Sequence, residues 1–203
     1  MKLVWILCLF LIGIHTSASA EKINVVKDKN EFGGITAQVT YSPGEPFHDQ
    51  GIAELIGHMN GKHRIIKLET VYNEAFAKQL LKAKTIEYYD ENENKIIQLE
   101  EFFTDQYSAL FGIARQVTRY DENGKTMQLE KFYTASWTKK RGITRTLAFY
   151  NSSGQLVKKE EFKTGPPPDN DSKVKTITYY DGKGKLLKTE IYDPKGNLKT
   201  ISP

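Results

Sequence analysis

A chain of 203 residues, 39% of them hydrophobic, has enough apolar material for one ordinary domain. A formal net charge of only +4, without a dense basic cluster, argues against a nucleic-acid binder. The single cysteine, Cys8, excludes an internal disulfide and any site built from several thiolates.

Taken in chain order, residues 1–20 predict an export signal. Met1-Lys2 is positive, Leu3 to Ile14 is almost wholly apolar, and Ala18-Ser19-Ala20 fits the small-x-small cleavage pattern. The apolar run falls short of the roughly 18 residues of a spanning helix. Leu7 stands before Cys8, where lipoprotein processing needs a small residue. Cleavage before Glu21 would remove the only thiol and leave a periplasmic or extracellular protein with no transmembrane segment. The expected organisation is a signal peptide at 1–20, an N-terminal segment with a degenerate repeat at 21–50, and a β-hairpin repeat domain at 51–203.

The repeat dominates the remainder. Arg64-Ile65-Ile66-Lys67-Leu68-Glu69 returns as Lys95-Ile96-Ile97-Gln98-Leu99-Glu100 and as Lys125-Thr126-Met127-Gln128-Leu129-Glu130, with further copies around Leu156–Phe162 and Leu186–Tyr192. The spacing is 31 residues once and 30 thereafter. A fixed period of this length marks stacked supersecondary units, each too small to bury a core alone. Shortened versions precede them, from Gly34-Ile35-Thr36 through Tyr41 to Ser42-Pro43-Gly44, and from Gly51-Ile52-Ala53 to Asn60-Gly61.

Within a unit, alternating β-branched and aromatic runs such as Ile143 to Tyr150 suit half-buried strands. Turns of the form Asp121-Glu122-Asn123-Gly124, Asn151-Ser152-Ser153-Gly154, Asp181-Gly182-Lys183-Gly184 and Asp193-Pro194-Lys195-Gly196 join them. There Asp or Asn accepts backbone N–H bonds and Gly supplies positive φ. Asn94 takes the Gly place in the copy that starts at Asp90. Connectors at 73–84, 104–112 and 134–142 open on the capping residues Asn73, Thr104 and Thr134. The latter two close on Gly, and each connector holds an aromatic at one place: Phe76, Tyr107 and Trp137. The fourth, Gly165-Pro166-Pro167-Pro168-Asp169-Asn170-Asp171, predicts an exposed extended loop. The fold class is all-β: an antiparallel meander of about five to six tandem hairpins with short helical connectors. Its roughly ten to twelve strands predict a long twisted or curled sheet.

The segments Gly142-Ile143, Phe149-Tyr150, Asn151 to Leu156 and Glu160-Glu161-Phe162 resemble the MORN-variant repeat. Gly112, Tyr120 to Gly124 and Glu130 carry the same marks, as do Tyr180 to Leu187 and Glu190. The tail Tyr192 to Leu198 is similar to a YD repeat of bacterial surface proteins. The resemblance covers roughly residues 51–193. It implies a bacterial β-repeat that associates with proteins or membrane surfaces, in a family that includes antitoxin-like members, and it implies no catalytic residues.

Several residue sets are candidates for chemistry. Glu69, Glu100, Glu130, Glu160 and Glu190 should align as a ladder able to bind cations or act as acid–base pairs, although Lys67, Lys158 and Lys188 on the same face make ion pairing the ordinary account. His48, His58 and His63 flank turns and would suit zinc or copper, but their spacing matches no zinc pattern. The expectation is therefore no metal, no cofactor and no enzyme, with a metal-dependent enzyme on those histidines as one rival. The columns Phe102, Phe132, Phe162, Tyr192 and Phe103, Tyr133 must supply packing on one face and are free to stack glycans on the other. Residues 69–105 are predominantly acidic and 106–150 predominantly basic. In the basic stretch Trp137 stands just ahead of Lys139, Lys140 and Arg141, an aromatic ringed by positive charge that suits an acidic protein partner. These four residues are the expected binding site. The expected function is a protein-binding or scaffold module of the cell envelope, against an envelope glycan binder or an inhibitor of the immunity type.

Overall fold

Polar and apolar residues alternate along most segments, and this period of two places each segment in a strand with two distinct faces. The structure is a computed structural model and describes residues 23–24, 29–91, 95–164 and 174–202. The expected signal peptide, the Asn94 turn position and the Pro-rich connector at 165–171 lie outside the described residues. Thirteen strands form one open antiparallel sheet in sequence order, an all-β hairpin meander as the repeat predicts. The strands are β1 (Ile23–Asn24), β2 (Gly33–Thr40), β3 (Ile52–Asn60), β4 (Ile65–Tyr72), β5 (Lys82–Tyr89), β6 (Ile96–Phe103), β7 (Ile113–Tyr120), β8 (Thr126–Tyr133), β9 (Ile143–Tyr150), β10 (Leu156–Lys163), β11 (Val174–Tyr180), β12 (Leu186–Tyr192) and β13 (Leu198–Ser202). The count exceeds ten to twelve because a two-residue β1 and the tail strand β13 extend the two ends.

The hairpin tips form where one side chain replaces several lost backbone bonds. Asp121 Oδ1 accepts from the N–H groups of Asn123 and Lys125, and Gly124 completes the turn at φ 76°. Asn151, Asp181 and Asp193 repeat the arrangement. So does Asn60, with one difference: His63, at φ 59°, takes the place that Gly holds elsewhere. The turn at Asn60-Gly61 thus has the same form as the other tips. A further copy at Asn30 to Gly33 opens the array earlier than the repeat suggested. Adjacent tips are clasped together: Arg64, Lys95 and Lys125 donate to the backbone oxygens of Glu91, Glu122 and Ser152, each 27 residues on.

At the other end of the strands lie α1 (Pro46–Asp49), α2 (Glu74–Leu80), α3 (Asp105–Phe111) and α4 (Ala135–Arg141). Asn73, Thr104 and Thr134 cap the latter three by accepting from the N–H groups of Phe76, Tyr107 and Trp137. Gly112 and Gly142 end α3 and α4 in the left-handed conformation; α2 ends the same way on Leu81, a side chain that tolerates it poorly.

Register aligns residues in rows across the sheet. On one face runs Ile56, Glu69, Ile86, Glu100, Val117, Glu130, Leu147, Glu160, Ile177, Glu190 and Ile201. Beside it runs Lys84, Phe102, Arg115, Phe132, Arg145, Phe162, Lys175 and Tyr192. The other face carries Thr70, Thr85, Glu101, Gln116, Lys131, Thr146, Glu161 and Thr176, together with the aromatic residues that meet the helices. The apolar core gathers in the N-terminal half, where Val39, Tyr41, Ile52, Leu55, Met59, Ile65, Leu68 and Tyr89 pack together. Among the described residues no large side chain is fully buried, so neighbour-to-neighbour pairing holds the C-terminal half together.

Candidate functional site

The five glutamates do form a row, but an aliphatic residue of the intervening strand separates each from the next. At about 4.8 Å per strand, neighbouring carboxylates stand roughly 10 Å apart along the row, too far to share a proton. Cations hold them instead. Lys67, Lys158 and Lys188 pair with Glu69, Glu160 and Glu190 along their own strands, at 2.8, 3.0 and 2.7 Å. Lys84, Arg115 and Arg145 reach Glu69, Glu100 and Glu130 from the next strand, at 3.1, 3.3 and 2.9 Å. Burial would raise the Glu69 carboxyl, but hydrogen bonds from Lys67 and Lys84 outweigh it and push it down to about 2.

The same cations cover the aromatic column. Arg115 lies 4.1 Å from the Phe132 ring centroid, Arg145 4.0 Å from Phe162, Lys84 4.9 Å from Phe102 and Lys175 5.2 Å from Tyr192. Each cation thus meets an aromatic ring and, in three of the four, a carboxylate. The period-two pattern shows which face these rings share but not that charge alternates with them across strands. That alternation appears only when the odd strands, Lys84-Thr85-Ile86 and its copies, are set in register with the even ones.

On the opposite face a shallow open cavity of 630 Å³ lies over β6 to β8, lined by Leu99, Glu101, Gln116, Thr118, Tyr120, Leu129 and Tyr150 among others. Glu101 is already engaged by Lys82 and by Gln116 Nε2. Burial and the nearby Glu101 charge push the Tyr120 hydroxyl up, so it remains a neutral hydrogen-bonding group. Further along this face Glu161 accepts from Lys159 and Lys163, and its carboxyl lies below the usual range because those contacts outweigh burial.

The four expected binding residues all fall on α4. Trp137 turns inward: it stacks on Tyr133 with ring centroids 6.3 Å apart and planes at 13°, and the Arg141 guanidinium sits 5.5 Å from its centroid. The indole also lies flat against Gly112, where a Cβ would stand 2.2 Å from Trp137 Cδ2. Phe76 packs against Gly51 in the same way. The connector ring is therefore a wedge seated on the unit before it, and its half-buried state follows from that packing. Lys139, Lys140 and Arg141 are exposed on the last turn of α4, which has no acid in its first turn.

The equivalent last turns differ. Leu80 of α2 is 39% exposed, and Leu110 and Phe111 of α3 are 63% and 51% exposed. Phe111 ends an aromatic stack that runs from Phe103 through Tyr107, with centroids 4.1 and then 4.6 Å apart. This apolar neighbour of the basic triplet escaped sequence reasoning, because i, i+4 stacking of Phe111 on Tyr107 looks like core packing until exposure is known.

The histidines do not converge. His58 uses both ring nitrogens, Nδ1 on Thr36 and Nε2 on Glu69, at 3.1 and 3.2 Å, while His63 serves a turn and His48 lies beside Asp49. Among the described residues no group of three or more His, Cys, Asp or Glu side chains is placed to hold a metal. No helix among them is long and apolar enough to cross a membrane. Compared with known proteins, the chain matches no family model and no curated sequence.

Proposed function

We propose that this chain is an exported, non-enzymatic β-hairpin repeat protein that binds another protein and serves as a scaffold module in the cell envelope. The observation that carries the reading is the helical edge. There exposed apolar side chains (Leu80, Leu110, Phe111) adjoin an exposed basic triplet (Lys139, Lys140, Arg141), the mixed surface that protein partners use. The resemblance of the hairpins to MORN-variant repeats accords with an interaction role. A glycan-binding role finds less support, because cations occupy the faces of Phe102, Phe132, Phe162 and Tyr192 on which a sugar ring would stack.

Trp137 contributes to stability and not to the contact itself, as the wedge seated on Gly112 and Tyr133. The test is a pull-down from an envelope extract with the immobilised chain, alongside co-sedimentation with purified envelope glycan. The expected result is capture of a defined protein, lost on charge reversal of Lys139 and Lys140 and kept by Trp137→Ala at temperatures where that variant is folded. Co-sedimentation with glycan and no protein capture would overturn the reading.

A further inference from the structure

The helical edge is ordered as well as mixed. α2, α3 and α4 occupy successive even-to-odd connections, so neighbouring helices are two strands, about 10 Å, apart. Their last turns present Lys78-Gln79-Leu80, then Ala109-Leu110-Phe111, then Lys139-Lys140-Arg141. Along this line the surface passes from mixed at α2, where Leu80 adjoins the Lys78–Glu74 ion pair, through apolar at α3 to wholly basic at α4. Leu110 and Phe111 are the most exposed large apolar side chains on these helices, at 63% and 51%. Lys139 and Lys140 make no ion pair among the described residues, whereas every basic residue in the row beside the glutamates touches a ring or a carboxylate.

Resting on the protein-binding reading above, we propose that this edge is a docking strip for an extended protein segment with apolar side chains at one end and acids at the other. Charge complementarity selects the acids, which face the exposed Lys139 and Lys140. The Leu80, Leu110 and Phe111 surface selects the apolar end, where Phe111, backed by Tyr107 and Phe103, supplies a rigid aromatic anchor. The length follows from the spacing: two helix steps cover about 20 Å, which an extended chain crosses in about six residues at 3.3 Å each. A segment with the same composition but its acids and apolar residues interleaved would set acids against Leu110 and leave the bases unmatched.

The test uses the full chain and fluorescein-labelled eight-residue peptides. Two have three apolar residues (Leu, Phe, Leu) and three acids (Glu, Asp, Glu) at opposite ends of a Ser-Gly spacer, one in each chain direction; a third interleaves the same residues. Anisotropy titration should show one graded peptide binding at least tenfold tighter than the interleaved one. Leu110→Ser with Phe111→Ser should weaken it at least tenfold at all salt concentrations. Lys139→Glu with Lys140→Glu should weaken it by as much at low salt and flatten its salt dependence. Lys183→Glu with Lys185→Glu, at a hairpin tip on the far end of the strands, should leave it unchanged.

Equal binding of all three peptides, or insensitivity to both helix variants, overturns the proposal. So does binding to phosphatidylglycerol vesicles through these residues in the absence of peptide binding, which would assign the strip to a membrane. If the wild type captures an envelope protein and the two helix variants capture it equally, the strip is wrong while the protein-binding reading stands. If the folded wild type captures none, that reading fails as well.

Discussion

Gly112→Ala isolates what Trp137 does in the array. Two glycines share nearly the same backbone conformation, Gly112 at φ 74° and Gly124 at φ 76°, but a Cβ on Gly124 would meet nothing within 4 Å. Placing alanine in the left-handed region costs about 1–2 kcal/mol at either position. At Gly112 the new methyl would also lie 2.2 to 2.4 Å from three atoms of the Trp137 ring, against the roughly 3.5 Å of ordinary carbon contact, so the indole must leave its place against Gly112. Complete loss of a buried tryptophan costs about 3–5 kcal/mol, and a half-buried ring that shifts should forfeit about 2. Gly112→Ala is therefore expected to destabilise by about 3–4 kcal/mol and Gly124→Ala by about 1–2. Urea unfolding can be followed by the fluorescence of Trp137, the one tryptophan outside the expected signal peptide, and by far-ultraviolet circular dichroism, whose agreement checks for a single transition. In a Trp137→Ala background the two glycine substitutions should cost the same. Equal costs in the wild-type background, or an unchanged difference after Trp137 is removed, would refute the wedge.

Leu81→Gly should raise stability by about 0.5–1 kcal/mol, because relief of the left-handed strain at φ 58° exceeds the entropy glycine adds to the unfolded chain; a lowered thermal midpoint would contradict it. Glu69, held at about 2 when folded against an ordinary 4.5, contributes stability that is fully present above pH 4.5 and is lost as pH falls toward 2. Allowing for solvent screening, that loss is about 1 kcal/mol, so a Glu69→Gln variant should show a correspondingly shallower decline in urea midpoint between pH 5 and 2. In a double-mutant cycle, Arg145→Met and Phe162→Leu should couple by about 0.5–1 kcal/mol through their 4.0 Å contact, and strict additivity would show the contact to be idle.

The hairpins were legible because their chemistry is local. Asp121 with Gly124, and Thr134 with Trp137 N–H, satisfy backbone groups within a few residues of themselves, so the letters suffice. Where the local signal changed, so did the reading. His63 and Leu81 hold left-handed positions that glycine marks elsewhere, and the Asn30 turn has no upstream copy to announce it. The Glu row was visible as a period of 30, but its separation by Ile86, Val117, Leu147 and Ile177 depends on the pairing register between consecutive strands, which the repeat period alone does not specify. At the candidate site the basic triplet was legible, whereas the inward turn of Trp137 and the exposure of Leu110 and Phe111 were not. The first depends on Gly112 of the preceding unit, against which the indole packs, and the second on where the last turn of α3 lies relative to the sheet.

The alternating rows also dictate how such a chain can change length over generations. Excising residues 113–142 would join Gly112 to Ile143 and set Phe102 opposite Arg145 and Glu100 opposite Leu147, the same pairings that Phe102 now makes with Arg115 and Glu100 with Val117. Recombination between misaligned copies of the gene, offset by one period, therefore yields a shorter or longer sheet that keeps these strand-to-strand pairings. An offset of half a period sets carboxylate beside carboxylate and cation beside cation. The heritable unit is the whole hairpin with its connector, and the extent of the surface can be tuned in those steps without redesigning the strand pairing.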